Sequence, residues 1–137
     1  MSDLKQKTES DLQRARQHLV YSFNKVSNIT LSPMLSEEQL ETLESFSSRF
    51  ARFSDILISR YFRTLLLEKD PAFRGSVIDL INQAEKFSWI RSAVTWRRIR
   101  ELRNVAAHEY TAEDYMKLYE ELIRLTPELL SVIIAYP

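Results

Sequence analysis

The chain contains one glycine, Gly75, and four prolines among its 137 residues. Sandwiches and barrels of short strands need many tight turns, and these two residue types form most such turns. Their scarcity therefore favours a few long helices over an all-β fold. Hydrophobic residues make up 45% of the sequence and charged residues 28%, as in globular proteins. This length suits one domain, so we expect residues 1–137 to form a single helical domain.

The composition also excludes several classes of protein. There are no cysteines, which rules out a disulfide scaffold and any zinc site built on thiolates. No metal or cofactor is predicted. The 19 basic and 19 acidic side chains balance, which disfavours a protein that coats nucleic acid non-specifically. We find neither a secretory leader nor a run of roughly 18 apolar residues, so we expect a cytoplasmic protein with no membrane association.

Capping residues and helical periodicity predict five helices. They run from Ser2 to about Phe23, from a capping box at Ser36 to about Glu68, from Gly75 and Ser76 to about Phe87, from a cap at Ser92 or Thr95 to the segment ending at Tyr110, and from Thr111 onward. Pro127 either kinks the fifth helix or starts a new one. Because the connections are short, we expect an up-and-down helical bundle.

Apolar residues spaced three and four apart predict which side chains form the core. In the second helix the predicted stripe consists of Leu43, Phe46, Phe50, Phe53, Leu57, Tyr61 and Leu65. In the third helix it consists of Val77, Leu80, Ile81, Ala84 and Phe87.

The segment from Arg103 to Tyr110 carries the groups that phosphate chemistry uses. Arg103 is a fixed cation, Asn104 an amide, His108 a titratable imidazole and Tyr110 a phenol. At about 100° per residue, Arg103 and Tyr110 share one helical face, while Asn104 and His108 lie on another. Arg103 and His108 then lie roughly 140° apart, too far to hold one phosphate on a straight helix. Either the helix ends near His108, as a cap of the next helix at Thr111 would allow, or the site needs a second copy. We favour the second interpretation, in which the segment is half of a site that a copy across a two-fold axis would complete.

These groups suit RNA cleavage without a metal. That reaction removes a proton from the 2′-hydroxyl and gives one to the departing 5′-oxygen, and imidazole can do both near neutral pH. Arginine can hold the phosphate and stabilise the charge that develops on it. The alternative is that His108 only caps a helix end and that Arg103 only pairs with Glu101 or Glu109.

A basic run precedes this segment. Arg97 and Arg100, with Trp89 and Trp96 nearby, are candidates for RNA binding through charge and stacking. The alternative is that these arginines form an ordinary solvated face.

The pattern Arg103-Asn104-x-x-x-His108-x-Tyr110 resembles the Arg-polar-x-x-x-His-x-Tyr signature of HEPN domains, specifically the HepT-like toxin branch. Residues 43–55, 77–86 and 96–110 resemble the second, third and fourth helices of that family. The resemblance covers most of the chain from about Ser36 onward.

The resemblance implies a bundle that dimerises through the motif-bearing helix and acts as a metal-independent ribonuclease toxin on RNA. It implies catalytic roles for Arg103 and His108 and a supporting role for Asn104. It also implies a partner, a cognate minimal nucleotidyltransferase antitoxin, which attaches AMP to Tyr110 and so blocks the site.

Two other functions stay open. The chain could be a non-catalytic substrate-binding or adaptor subunit of a nucleotidyltransferase, which would tolerate loss of His108. It could also be a plain dimerisation module in which Arg103 and Tyr110 only seal an interface.

Overall fold

The computed structural model describes residues 2–106 and 112–132, and the regular secondary structure of this part is all helical. The predicted all-α fold with five helices is confirmed. The helices are α1 (Ser2–Val26), α2 (residues 37–69), α3 (Val77–Lys86), α4 (Ala93–Ala106) and α5 (Ala112–Leu130). The helix α2 is continuous and has three parts, Glu37–Asp55, Ile56–Phe62 and Arg63–Lys69. No helix in the described ranges is long and apolar enough to cross a membrane.

Side-chain caps set the start of three helices. The predicted capping box at Ser36 is present: its hydroxyl accepts from the Gln39 amide at 3.1 Å, and the Gln39 side chain accepts from the Ser36 amide at 2.9 Å. A second capping box joins Ser76 and Asp79 at the start of α3. Ser92, one of the two predicted caps, accepts from the Thr95 amide at 3.3 Å. Each cap is typically worth about 1 kcal/mol, because it satisfies amides that the helix itself leaves unpaired.

The helix α2 is the centre of the bundle and packs against each of the other four helices. Its buried residues Phe46, Phe50 and Phe53 lie in one core with Leu12 and Leu19 of α1. The core continues through apolar residues of the remaining helices, namely Leu80, Ile81, Ala84, Trp96, Ile99, Leu102, Leu118, Leu122, Leu125 and Leu129. The fold class follows from this arrangement, a helical bundle around one apolar core.

A π-helical segment interrupts the periodicity of α2. Residues Ile56–Phe62 form π turns, which take one more residue per hydrogen-bonded turn than α turns do. The predicted stripe holds up to Tyr61, which is 3% exposed, but it is wrong at Leu65, which is only half-buried. Leu66 is 2% exposed and occupies the core instead. The extra residue in the π segment explains this shift.

The end of α3 also differs from the prediction. Phe87 was expected in the core but is 36% exposed, because α3 ends there. Ser88 follows with φ 61°, and the amides of Ser88 and Trp89 donate to the carbonyls of Glu85 and Ala84. This is a Schellman motif with serine where glycine is usual. It turns Trp89 back onto Phe87, with ring centroids 5.3 Å apart.

Two helix ends differ from the sequence-based bounds. The first helix extends three residues beyond Phe23, to Val26. The fifth helix continues through Pro127 to Leu130 as one element. Before the proline, the Thr126 hydroxyl donates to the Leu122 carbonyl at 2.6 Å.

Candidate functional site

The helix α4 positions the motif arginine beside α2. Trp96, Ile99 and Leu102 are buried on one face of α4 and anchor it to the core. Arg100 and Arg103 flank this face, so their guanidinium groups reach across to α2. Both contact the same carboxylate, that of Asp55.

The contact between Arg103 and Asp55 is bidentate. Arg103 Nε donates to Asp55 Oδ1 at 2.8 Å, and Arg103 Nη2 donates to Asp55 Oδ2 at 2.8 Å. Arg100 Nη1 donates to Asp55 Oδ1 at 3.2 Å. A planar guanidinium that meets a carboxylate through two parallel hydrogen bonds is held in position and orientation. The structure therefore fixes Arg103 through a residue 48 positions earlier in the chain.

The charges of this cluster do not cancel. Two guanidinium groups share one carboxylate, which leaves one net positive charge. The hydrogen bonds that Arg103 donates to Asp55 raise the pKa of Arg103 above its ordinary value. Arg103 Nη1 points the other way and donates to Asn104 Oδ1 at 3.4 Å. The cluster, about a third exposed, can thus attract an anion while one edge of Arg103 faces the supporting amide.

The sequence offered a signal for Asp55 that our sequence-based reasoning missed. Asp55 is the only acidic residue between Glu44 and Glu68, a stretch that also contains four arginines. It is also the last residue before the π segment of α2. Segments of π-helix occur frequently at functional sites. Sequence reasoning considered Glu101 and Glu109 as partners of Arg103; Glu101 instead pairs with Arg98 at 2.8 Å.

The basic run of α4 divides into three sets of contacts. Arg97 Nη1 donates to Asn82 Oδ1 at 3.0 Å, and its side chain therefore lies against α3. Arg98 forms a pair of hydrogen bonds with Glu121 of α5. Only Arg100 joins Arg103 at Asp55. Trp96 is fully buried, so it is a core residue and cannot stack on a base.

The remaining predicted site residues, His108 and Tyr110, lie outside the described residues. The structure thus brings Arg100 and Arg103 together at Asp55, with Asn104 at the other edge of Arg103. Within the described ranges, no group of three or more histidine, aspartate or glutamate side chains could hold a metal ion.

The strand-free bundle of the described residues, with an arginine near the end of its fourth helix, is the architecture of HEPN-like domains. Residues 68–135 match the family model described as "Ribonuclease HepT-like". Over this region, which includes α3, α4, α5 and the segment from Arg103 to Tyr110, the chain belongs to the HepT-like family. The predicted family resemblance is confirmed. No curated protein and no solved structure matches the chain.

Proposed function

We propose that the chain, as a single HEPN-like domain, is a metal-independent endoribonuclease toxin of the cytoplasm that acts as a homodimer. Its site would lie in a dimer cleft, where Arg103 and His108 from two copies face one RNA strand. The family match supports a ribonuclease, because it spans the whole motif. The observation that carries the proposal is the bidentate contact with Asp55, which orients Arg103 and leaves the cluster with net positive charge.

The proposed reaction needs two proton transfers. One imidazole takes the proton of the 2′-hydroxyl, whose oxygen attacks phosphorus. The bond from phosphorus to the 5′-oxygen breaks, and a second imidazole gives that oxygen a proton. The products are a 2′,3′-cyclic phosphate and a free 5′-hydroxyl. Positioned proton transfer of this kind typically accelerates a reaction about 10²–10⁴-fold.

Arg103 would bind the phosphate while negative charge builds on its oxygens. Preorganised donors directed at such charge commonly accelerate a reaction more than a single positioned proton transfer does. Asp55 already holds Arg103, so little side-chain entropy remains to be lost when RNA binds. Asn104, bonded to Nη1, would support the same guanidinium from its other edge. Arg100 adds the second positive charge, and Arg97, held at α3, would contact RNA outside the cleft.

The central test is RNA cleavage in the presence of a chelator. The purified chain should cut single-stranded RNA under these conditions, and His108→Ala should abolish cutting. Arg91→Ala removes an exposed arginine from the loop between α3 and α4 and should leave cutting unchanged. Full activity of His108→Ala would refute the catalytic assignment and favour the non-catalytic adaptor function.

Regulation through Tyr110 has its own test. A cognate minimal nucleotidyltransferase would transfer AMP from ATP to the Tyr110 hydroxyl and release pyrophosphate. The added phosphate would place negative charge beside Arg103 and repel RNA. Incubation of the chain with that enzyme and ATP should add the mass of one AMP group to the Tyr110 peptide. Tyr110→Phe should gain no mass, and modification of that variant would contradict the assignment.

A further inference from the structure

A stripe of basic side chains follows the groove between α1 and α2, and the proposed function does not use it. Arg14, His18, Tyr21 and Lys25 recur every three or four residues, so they share one face of α1. Arg49, Arg52 and Arg60 lie on α2, three and then eight residues apart. We call these seven residues the α1–α2 track.

Contacts between the helices bring the two halves of the track together. Near one end, Arg60 Nη2 donates to Asp11 Oδ2 at 3.0 Å. Near the other end, Arg49 Nη1 donates to the His18 carbonyl at 3.2 Å and to Ser22 Oγ at 2.9 Å. The two helices therefore run antiparallel. From Arg14 to Lys25 the track is about 16 Å long at 1.5 Å per residue.

A cavity of about 220 Å³ opens at the end of the track where Arg14 and Arg60 lie. Its lining residues are mostly cationic or titratable, and they include Arg14, His18, Arg52, Arg60 and Asp11. Asp11 is the one carboxylate among them. It accepts hydrogen bonds from Arg60 and Lys7, which lower its pKa. With Asp11 matched by these two cations, Arg14 and Arg52 give the cavity a net positive charge.

Among the residues that the structure describes, most of the track's cations have no carboxylate partner. No carboxylate of the described residues lies within 4.0 Å of the charged groups of Arg14, Arg49, Arg52 or Lys25. The hydrogen bonds of Arg49 go to neutral oxygens. Although the chain as a whole has zero net charge, these cations give this face a local positive charge.

An exposed aromatic ring lies beside these cations. Tyr21 is 61% exposed, although it is large and partly apolar. Lys25 Nζ lies 5.6 Å from the centre of its ring, and Arg49 Cζ lies 5.9 Å from it. A basic groove with an exposed aromatic side chain is the combination that binds single-stranded nucleic acid without sequence preference.

The track leads toward the candidate site. Arg52 lies three residues before Asp55 on α2, about 4.5 Å along the helix axis. Ile56, the next residue after Asp55, lines the cavity. A strand held at Arg103 could therefore continue along α2 onto the track without leaving the surface of the bundle.

We infer that the α1–α2 track binds the phosphodiester backbone of single-stranded RNA next to the site of cleavage. Arg14 and Arg52 contact a phosphate at the cavity, and Tyr21 stacks on a base between Arg49 and Lys25. This inference rests on the proposed function, since it assigns the track to that substrate. It differs from the sequence-based expectation, which placed RNA binding on Arg97 and Arg100 of α4.

A binding experiment tests the track independently of catalysis. The probe is a fluorescently labelled 2′-O-methyl oligoribonucleotide, which has no 2′-hydroxyl and cannot be cut. Arg14→Ala and Arg52→Ala should each weaken its binding about 5-fold, measured by fluorescence anisotropy. Each should also lower the slope of log affinity against log salt by about 0.7, the value for one phosphate contact with a single strand. Arg91→Ala, the matched control, should change neither quantity.

Variants of Tyr21 test the stacking contact separately from the charged contacts, because they leave the charge of the chain unchanged. Tyr21→Ala should weaken binding of the oligonucleotide at least about 5-fold, whereas Tyr21→Phe should restore it, because stacking needs only the ring. The salt slope should stay the same in both variants. Equal affinity of Tyr21→Ala and the original chain would refute the stacking contact.

The possible outcomes separate this inference from the proposed function. If the chain cuts RNA and all track variants bind the probe like the original, the track is refuted and the nuclease stands. Inorganic phosphate added to the original chain could also raise its melting temperature. If Arg14→Ala and Arg52→Ala lose that rise but bind the probe normally, the cavity binds free phosphate and the RNA assignment is wrong. If the original chain neither binds the probe nor cuts RNA, both proposals fail.

Discussion

The contact between Arg103 and Asp55 predicts a measurable coupling between two residues 48 positions apart. Two hydrogen bonds of 2.8 Å join them, and the side chains are 30% and 34% exposed. Fully exposed ion pairs contribute about 0.2–1 kcal/mol, and hydrogen bonds to charged groups about 1.5–3 kcal/mol when shielded from water. A bidentate pair with a third of its surface exposed lies between these values. We therefore expect a coupling of about 1–1.5 kcal/mol.

A double-mutant cycle measures this coupling. Asp55→Ala, Arg103→Ala and the double variant are unfolded with urea, and the free energies of unfolding are compared. The pair of Lys5 and Glu68 provides the control. The Lys5 ammonium lies 3.1 Å and 3.4 Å from the two Glu68 oxygens, and these side chains are more exposed, at 35% and 44%. That pair should give only about 0.3 kcal/mol. A coupling for Asp55 and Arg103 no larger than for Lys5 and Glu68 would refute the argument that Asp55 fixes the arginine.

The same contact should affect catalysis under the proposed function. Asp55→Asn keeps the shape of the side chain but removes the charge that orients Arg103. A displacement of about 1 Å at a reacting group can cost about 10²-fold in rate, so we expect RNA cleavage to fall by about 10- to 100-fold. Glu68→Gln should cleave like the original chain. Unchanged cleavage by Asp55→Asn would show that Arg103 does not need its partner.

Three further predictions concern stability. Ser88→Gly should raise the free energy of unfolding by about 1 kcal/mol, because φ 61° is unfavourable for serine but not for glycine; urea unfolding that shows a loss would contradict this. Gly75→Ala should lower the melting temperature, because a Cβ there would overlap a ring carbon of Phe73 and lie 2.7 Å from Asp79 Cβ; an unchanged melting temperature would mean that the ring moves freely. Arg98 lowers the pKa of Glu121 in the folded chain. The pair therefore stabilises the fold at pH values above 4.5, the pKa of Glu121 in the unfolded chain, and this stabilisation is lost as the pH falls through the folded pKa. Glu121→Gln should therefore cost about 1 kcal/mol at pH 7 and almost nothing at pH 3, and an equal cost at both pH values would exclude the ionic explanation.

Much of the fold was predictable because its signals are local. The capping box of Ser36 and Gln39, the cap at Ser92 and the break before Pro71 each depend on residues within four positions. The apolar spacing then indicated the buried faces. The π segment was not predictable in this way, since apolar spacing does not reveal where one extra residue enters a turn. The error at Leu65 follows directly from it.

The candidate site was predictable only in part, for a similar reason. Its residue types are local to α4, so Arg103 and Asn104 could be selected from the sequence. The partner of Arg103 could not be selected by helical spacing, which considers only residues three or four positions away, such as Glu101 and Glu109. Asp55 comes from another helix, and its placement depends on how α4 packs against α2.

The π segment and the placement of Asp55 have a common physical basis. Asp55 is the last residue before the π turns, and Leu57 and Ile58, just inside them, are both fully buried. The extra residue changes the face of α2 on which later side chains lie, so that Phe62 and Leu66 occupy the core after the segment. Asp55 itself stays half-buried at the edge facing Arg100 and Arg103. The π segment thus lets α2 bury apolar side chains both before and after Asp55, while the Asp55 carboxylate still faces two arginines.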